Sequence, residues 1–130
     1  MKILQPPNWP RPQGYSNGIA ARGEMVFVAG MVGWDESGKF VGAGILPQAK
    51  QALKNIVAVL KEAGARPEHI VRMNWYVADK REYMESRSKL GQAYREIIGV
   101  HYPAMTAVQV AGLVEEGARV EIEVTAVIPD

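Results

Sequence analysis

The stretch YPAMTAVQVAGLVEEGARVEIEVTAVI, Tyr102 to Ile128, decides the fold. It reads as two strands joined by a short loop. In the first, Met105, Ala107 and Gln109 share a face, because side chains alternate along a strand. In the second, Val120, Ile122, Val124 and Ala126 face one way, and Arg119, Glu121, Glu123 and Thr125 face the other. Pro103 and the loop from Gly112 to Gly117 delimit the unit. Glutamates in mid-strand are the main chemical clue. Glu121 and Glu123 lie on one face, roughly 7 Å apart between α-carbons. A carboxylate in a partly apolar site has its pKa raised, which suits positioning a water or moving a proton. The other reading is that both are solvated or paired across strands, with Arg119, Lys39 or Arg72 as partners.

Upstream, Ile70 to Ala78 alternates as a strand, with Val71, Met73, Trp75 and Val77 against Arg72, Asn74 and Tyr76. Ile45 to Ala63 is a helix. Ile45, Ala49, Leu53, Ile56, Leu60 and Ala63 form its apolar stripe, Pro47 lies in the first turn and Gly64 terminates it. Asp79 caps a second helix, with Glu82 completing a variant capping box and Tyr83, Leu90, Tyr94 and Ile97 as its stripe; Gly99 ends it. Met25 to Met31 is apolar on both faces, the pattern of a strand within a covered sheet, and Gly30 near its end signals a bulge. Trp34 to Phe40 is a loop or hairpin turning at Ser37-Gly38. Residues 1–14 carry Pro6, Pro7, Pro10 and Pro12 and read as an extended arm pinned by Trp9. The order is strand, strand, helix, strand, helix, strand, strand. Two helices cover one sheet face, so the mixed face is either wet or meets another subunit.

The 130 residues make one domain, 1–130. The absence of cysteine excludes disulfides, thiolate metal sites and a cysteine nucleophile. The net charge is +1 and no basic stripe is present, so nucleic-acid binding is not expected. No apolar run approaches the ~18 residues of a membrane span, and there is no signal core; the expectation is a cytoplasmic protein. His69 and His101 fall in connections without metal-spaced companions, and read as exposed loop residues; no metal and no cofactor is expected. Phosphate-loop, dinucleotide and serine-hydrolase motifs are absent. Two readings stay open for each remaining candidate. Tyr15, in the turn GYSNG, either donates to a ligand or packs and caps. Gly30 either lets a ligand approach the backbone or is only a bulge. Met31, Trp34, Trp75 and Met105 are either core or pocket wall.

The segments GYSNG, MVFVAGMVG, QALKNIVAVLKEAGARPEHIVRMNWYVAD, YPAMTAVQVAGL and VEIEVTAV, taken in order from about Tyr15 to Val127, resemble the RidA (YjgF) family. Its members include enamine/imine deaminases and proteins described as ribonucleases. The resemblance implies an α+β, chorismate-mutase-like fold: a mixed sheet with two helices packed on one face. It also implies a homotrimer with small-molecule clefts between subunits. Glu121 matches the glutamate that holds the attacking water, and Tyr15 matches the tyrosine of the first motif. Where deaminases of the family read P-A-R-S or P-A-R-T, this chain reads Pro103-Ala104-Met105-Thr106. Met105 replaces an arginine that grips the substrate carboxylate, Ala107 the usual cysteine, and Met31 a glutamine. The implied function is hydrolytic deamination with altered specificity, for example toward an aromatic-degradation intermediate such as 2-aminomuconate. Catalysis would fall to Glu121, and substrate binding to Tyr15, Gly30, Met31, Trp34, Met105 and Ala107. Arg72 or Arg119 are candidate replacement cations. The alternative is a non-catalytic trimer that binds a small metabolite.

Overall fold

A computed structural model describes residues 1–130. Its centre is a four-stranded mixed sheet built from β3 (Glu24–Met31), β4 (Ile70–Val77), β5 (Ala104–Gln109) and β6 (Val120–Ile128). The spatial order is β3-β6-β4-β5. β6 is antiparallel to both neighbours, and β4 runs parallel to β5. A separate ribbon pairs β1 (Lys2–Leu4) with β2 (Gly18–Ala20). The amino-terminal arm thus starts as a strand rather than an irregular segment, and Trp9, expected to pin it, is 58% exposed.

The helices lie on one face, as the patterning predicts. α1 (Ile45–Glu62) buries Ala49, Leu53, Ile56 and Leu60 completely against Met73, Val120 and Ile122. Each large side chain on this stripe contributes about 1.5–3 kcal/mol by leaving water. Pro47 sits in the first turn, and Gly64 at φ +76° closes the helix. The second predicted helix is broken at Ser86 into α2 (Lys80–Glu85) and α3 (Arg87–Ile97). Asp79 caps α2, accepting from the N–H of Arg81 (2.8 Å) and Glu82 (3.4 Å). Glu82 does not complete a capping box. Its carboxylate accepts from the Ile45 N–H at the start of α1 (3.1 Å) and from Arg119 Nε (2.9 Å). A free N–H at the helix start and a guanidinium are stronger claims on it than its own cap.

Gln48 ties these pieces together. It is fully buried on α1, donates to the carbonyls of Gly42 (2.9 Å) and Gly117 (3.0 Å), and accepts from the Arg119 N–H (2.7 Å). Gly33 packs so closely on it that an added Cβ would lie 2.6 Å from the Gln48 Cα.

The opposite sheet face is bare in the single chain. β3 is an edge strand, not an interior one, and leaves Met25 57% and Phe27 70% exposed. Its register with β6 shifts between Val28 and Met31, the bulge expected near Gly30. β4 also shifts register between Ile70 and Arg72, so Ile70 rather than Val71 joins Met73 in the core. On the bare face Glu123 accepts from Tyr76 (2.5 Å) and Asn74 (3.1 Å). The Tyr76 bond, then the Asn74 bond, hold Glu123 below the usual carboxylate value of 4.5, and the same bond raises Tyr76.

Two predictions follow from these contacts. Gln48→Leu leaves two carbonyls and one N–H without the side chain that pairs with them, and destabilises the chain in urea titration by about 1–2 kcal/mol. Because the folded pKa of Glu123 is lowered, its stabilisation is present above 4.5 and is lost as pH falls through the folded value. Thermal midpoints taken between about pH 5 and pH 3 therefore fall more steeply in wild type than in Glu123→Gln.

Candidate functional site

Ser16 fixes the Tyr15 turn. Its N–H donates to the Pro103 carbonyl (3.0 Å), its hydroxyl donates to the Tyr102 carbonyl, and it bridges to Ala104. The turn is thereby docked on the first residues of β5, and Tyr15 comes beside Met105. Met105 pairs with Met73, and Ala107 with Trp75, so both point to the helix side of the sheet. Between the turn, β5 and the helices lies a cavity of about 360 Å³. Its walls are Gln13, Gly14 and Tyr15 from the turn, Trp75, Met105 and Ala107 from the sheet, and Tyr83, Arg87, Leu90, Gly91 and Tyr94 from α2 and α3. Trp75 meets Tyr83 edge-on, with centroids 6.2 Å apart. Tyr94 stacks on Tyr102 at 5.5 Å and donates to the His101 carbonyl. Burial raises the pKa of both Tyr83 and Tyr94, so these phenols stay neutral. The cavity wall is largely apolar, with four aromatic side chains and a single cation.

The other predicted residues lie elsewhere. Glu121 pairs in register with Tyr76 and points to the bare face, opposite to Met105. Its carboxylate rests on Gly30. A Cβ there would come 2.2 Å from Oε2 and 2.8 Å from Cδ, so position 30 admits only glycine while the carboxylate lies where it does. Glu123 is occupied by Tyr76 and Asn74, whereas Glu121 makes no hydrogen bond or ion pair within the chain. The two glutamates are thus unlike: one is a network acceptor, the other a free carboxylate beside bare backbone.

Met31 pairs with Ile122 and packs against the core. Trp34 closes the hairpin, edge-on to Phe40 at 5.9 Å, and Asn55 donates to its carbonyl at 2.8 Å. Asp35 in the same hairpin accepts from the Ser37 hydroxyl and from the N–H groups of Lys39 and Ser37, which lowers its pKa. Neither Met31 nor Trp34 lines the cavity of Tyr15, Met105 and Ala107. One chain therefore carries these residues as two groups on opposite faces: Tyr15, Met105 and Ala107 on the helix side, and Gly30 with Glu121 on the bare side.

Of the candidate cations, Arg119 is bound to Glu82 and sits 3.9 Å from Asp79. Arg72 lies on the bare face, beside Asn74 and Glu123. Arg87 was not foreseen as a site residue, although Tyr83, Arg87, Leu90, Gly91 and Tyr94 follow helical spacing. The histidines are half-buried and structural. His101 Nε2 lies 2.6 Å from the Ile70 carbonyl, and His69 Nδ1 accepts from the Arg66 N–H. No three His, Asp or Glu side chains converge as metal ligands, and no helix is long and apolar enough to cross a membrane.

Comparison with known proteins agrees with this architecture. The family model described as Endoribonuclease L-PSP matches residues 9–128. The chain is similar to human 2-iminobutanoate/2-iminopropanoate deaminase, 34% identical over 103 residues that cover 78% of this chain and 72% of the human one. It is 36% identical over 132 residues to a RutC family protein of Synechocystis, covering 99% and 98% of the two chains. Among solved structures, a Rid family protein of unknown function from Yersinia pestis superposes with a TM-score of 0.82 at 28% identity, covering 98% of each chain. With the family model matching nearly the whole chain and relatives above 30% identity, the chain belongs to the RidA (YjgF) family, the family described as endoribonuclease L-PSP.

Proposed function

We propose that this chain is a hydrolytic imine/enamine deaminase with a substrate specificity changed from that of its small-substrate relatives, working in clefts between the subunits of a homotrimer. The observation that carries this reading is the free carboxylate of Glu121 lying on Gly30. A carboxylate without a partner beside bare backbone is suited to hold and deprotonate a water. Similarity to proteins named 2-iminobutanoate/2-iminopropanoate deaminase supports the reaction class.

In this reading an enamine first tautomerises to the imine. Water adds to the C=N carbon and gives a proton to Glu121, which passes it to the nitrogen as the C=N electron pair moves there. The carbinolamine then collapses. Glu121 takes the hydroxyl proton and hands it to the nitrogen, the C–N bond breaks, ammonia leaves and an oxo product remains. Glu121 of one copy would face Tyr15, Met105 and Ala107 of a neighbour, because the two groups occupy opposite faces of one sheet. The exposed Met25 and Phe27 give such a neighbour an apolar surface to cover. Substrates larger than iminopropanoate, including an aromatic-degradation intermediate such as 2-aminomuconate, suit a cavity walled by Trp75, Tyr83 and Tyr94.

Met105 favours a second reading, a trimer that binds a small metabolite without turning it over. Its thioether cannot form the bidentate pair that a guanidinium makes with a carboxylate. Ammonia release from imines generated with an amino-acid oxidase separates the two. For the deaminase, wild type accelerates release and Glu121→Gln lowers the rate by at least ~100-fold with the fold intact. Met105→Arg is expected to raise activity on 2-iminobutanoate. A wild-type rate equal to that of Glu121→Gln across the panel removes the enzymatic reading.

A further inference from the structure

We propose that Arg87 is the anion-binding residue of this site, and that Gly91 opens the cavity beside it for a bulky apolar group, so that the preferred ligand is a 2-imino or 2-oxo acid with an aryl side chain. The proposal rests on the cavity's being half of the substrate site, and it deepens that reading by naming what the cavity takes.

The first observation is charge. Arg87 is the only charged residue that lines the cavity, and no aspartate or glutamate does. It forms no ion pair and no side-chain hydrogen bond, whereas Arg119 is committed to Glu82 and Arg72 lies on the other face of the sheet. Arg87 is an exposed residue that also lines the cavity, so its side chain is open to solvent and to a ligand. An unpaired guanidinium in a largely apolar wall has two uses for its planar fork: a carboxylate and an aromatic face. A ligand carrying both satisfies both.

The second observation is Gly91, which is independent of charge. It stands inside α3, where glycine costs about 1 kcal/mol relative to alanine. Packing does not require it. An added Cβ would meet only the Arg95 Nη1 at 3.3 Å, the tip of a flexible side chain. Yet Gly91 lines the cavity, and it is four residues from Arg87, hence on the same helix face one turn along. The missing side chain leaves space beside the cation. Leu90, Met105 and Trp75 make that space apolar. The indole N–H of Trp75 is buried without an acceptor, an unmet donor in the same wall.

Together these features divide the recognition task differently from an arginine on β5. The cation moves from the sheet to the helix, and Met105 becomes part of the surface on which the apolar group rests. The cavity, at about 360 Å³, falls within the range of about 300–1,000 Å³ usual for small-molecule sites.

The test is calorimetric binding of phenylpyruvate, its methyl ester and pyruvate, which needs no turnover. Wild type is expected to bind phenylpyruvate at least ~10-fold more tightly than either comparison ligand, the ester lacking the charge-assisted pair and pyruvate the ring. Arg87→Gln should bind phenylpyruvate and its ester alike. Gly91→Leu should lose phenylpyruvate, keep its weaker binding of pyruvate, and melt no lower than wild type, since leucine is the better helix former. Loss of binding with an undiminished melting point separates a blocked cavity from a damaged fold. Undiminished preference for the acid in Arg87→Gln, undiminished phenylpyruvate binding in Gly91→Leu, or no binding by wild type each overturns the proposal. If wild type binds as expected but releases no ammonia from the corresponding imine, the deaminase reading fails and the assignment of Arg87 and Gly91 stands.

Discussion

Side chains alternate along β6, and β6 is hydrogen-bonded along both edges, to β3 and to β4. Sliding it by one residue would turn Val120, Ile122 and Val124 out of the core and drive Glu121 and Glu123 into it, breaking two ladders at once. That constraint places Glu121 on the bare face. The parallel pairing of β5 with β4 places Met105 and Ala107 on the helix face by the same period of two. No loop movement can bring the two together within one chain, because the sheet lies between them. A site that uses both needs a second copy, and the exposed apolar side chains of β3 lie on the face that a second copy would cover.

Within that frame the polar groups are sharply divided by local chemistry. Glu82, Glu123 and Gln48 are fully employed in holding elements together: α1 to α2, β4 to β6, and α1 to the loops on either side of it. Glu121 and Arg87 have no such partners in the chain. A carboxylate and a guanidinium left free on opposite sides of one sheet are what a two-copy site would draw on, one as base and the other as anion holder. Met105, on the same side as Arg87, then supplies area rather than charge.

Much of this was legible in the sequence. The alternation along Val120 to Ala126 gives both faces of β6, the stripe from Ile45 to Leu60 gives α1, and Gly64 and Gly30 mark its stop and the bulge. These are local patterns with a fixed period, and the period survives folding. The failures involve partners distant in sequence. Asp79 followed by Glu82 looks like a reciprocal cap, but Glu82 is claimed by the start of α1 and by Arg119, 37 positions away in each direction. The apolar run at Met25 to Met31 suggests an interior strand, but strand order is not encoded locally, and β3 lies at the edge. Arg87 and Gly91 interrupt an otherwise apolar stripe from Tyr83 to Tyr94, a pattern that acquires meaning only when the Tyr15 turn is seen to roof it.

The central claim, that one functional site draws on two copies, is tested most directly by subunit complementation. Glu121→Gln removes the base and leaves the cavity, while Ala107→Phe fills the cavity and leaves the base. Each variant alone is expected to be inactive toward imines. Unfolded together and refolded as mixed oligomers, they should regain activity, about a quarter of wild type for random mixing into trimers with one intact cleft in each hybrid. A mixture that remains as inactive as its parents, with hybrids verified by native mass spectrometry, would contradict the shared site.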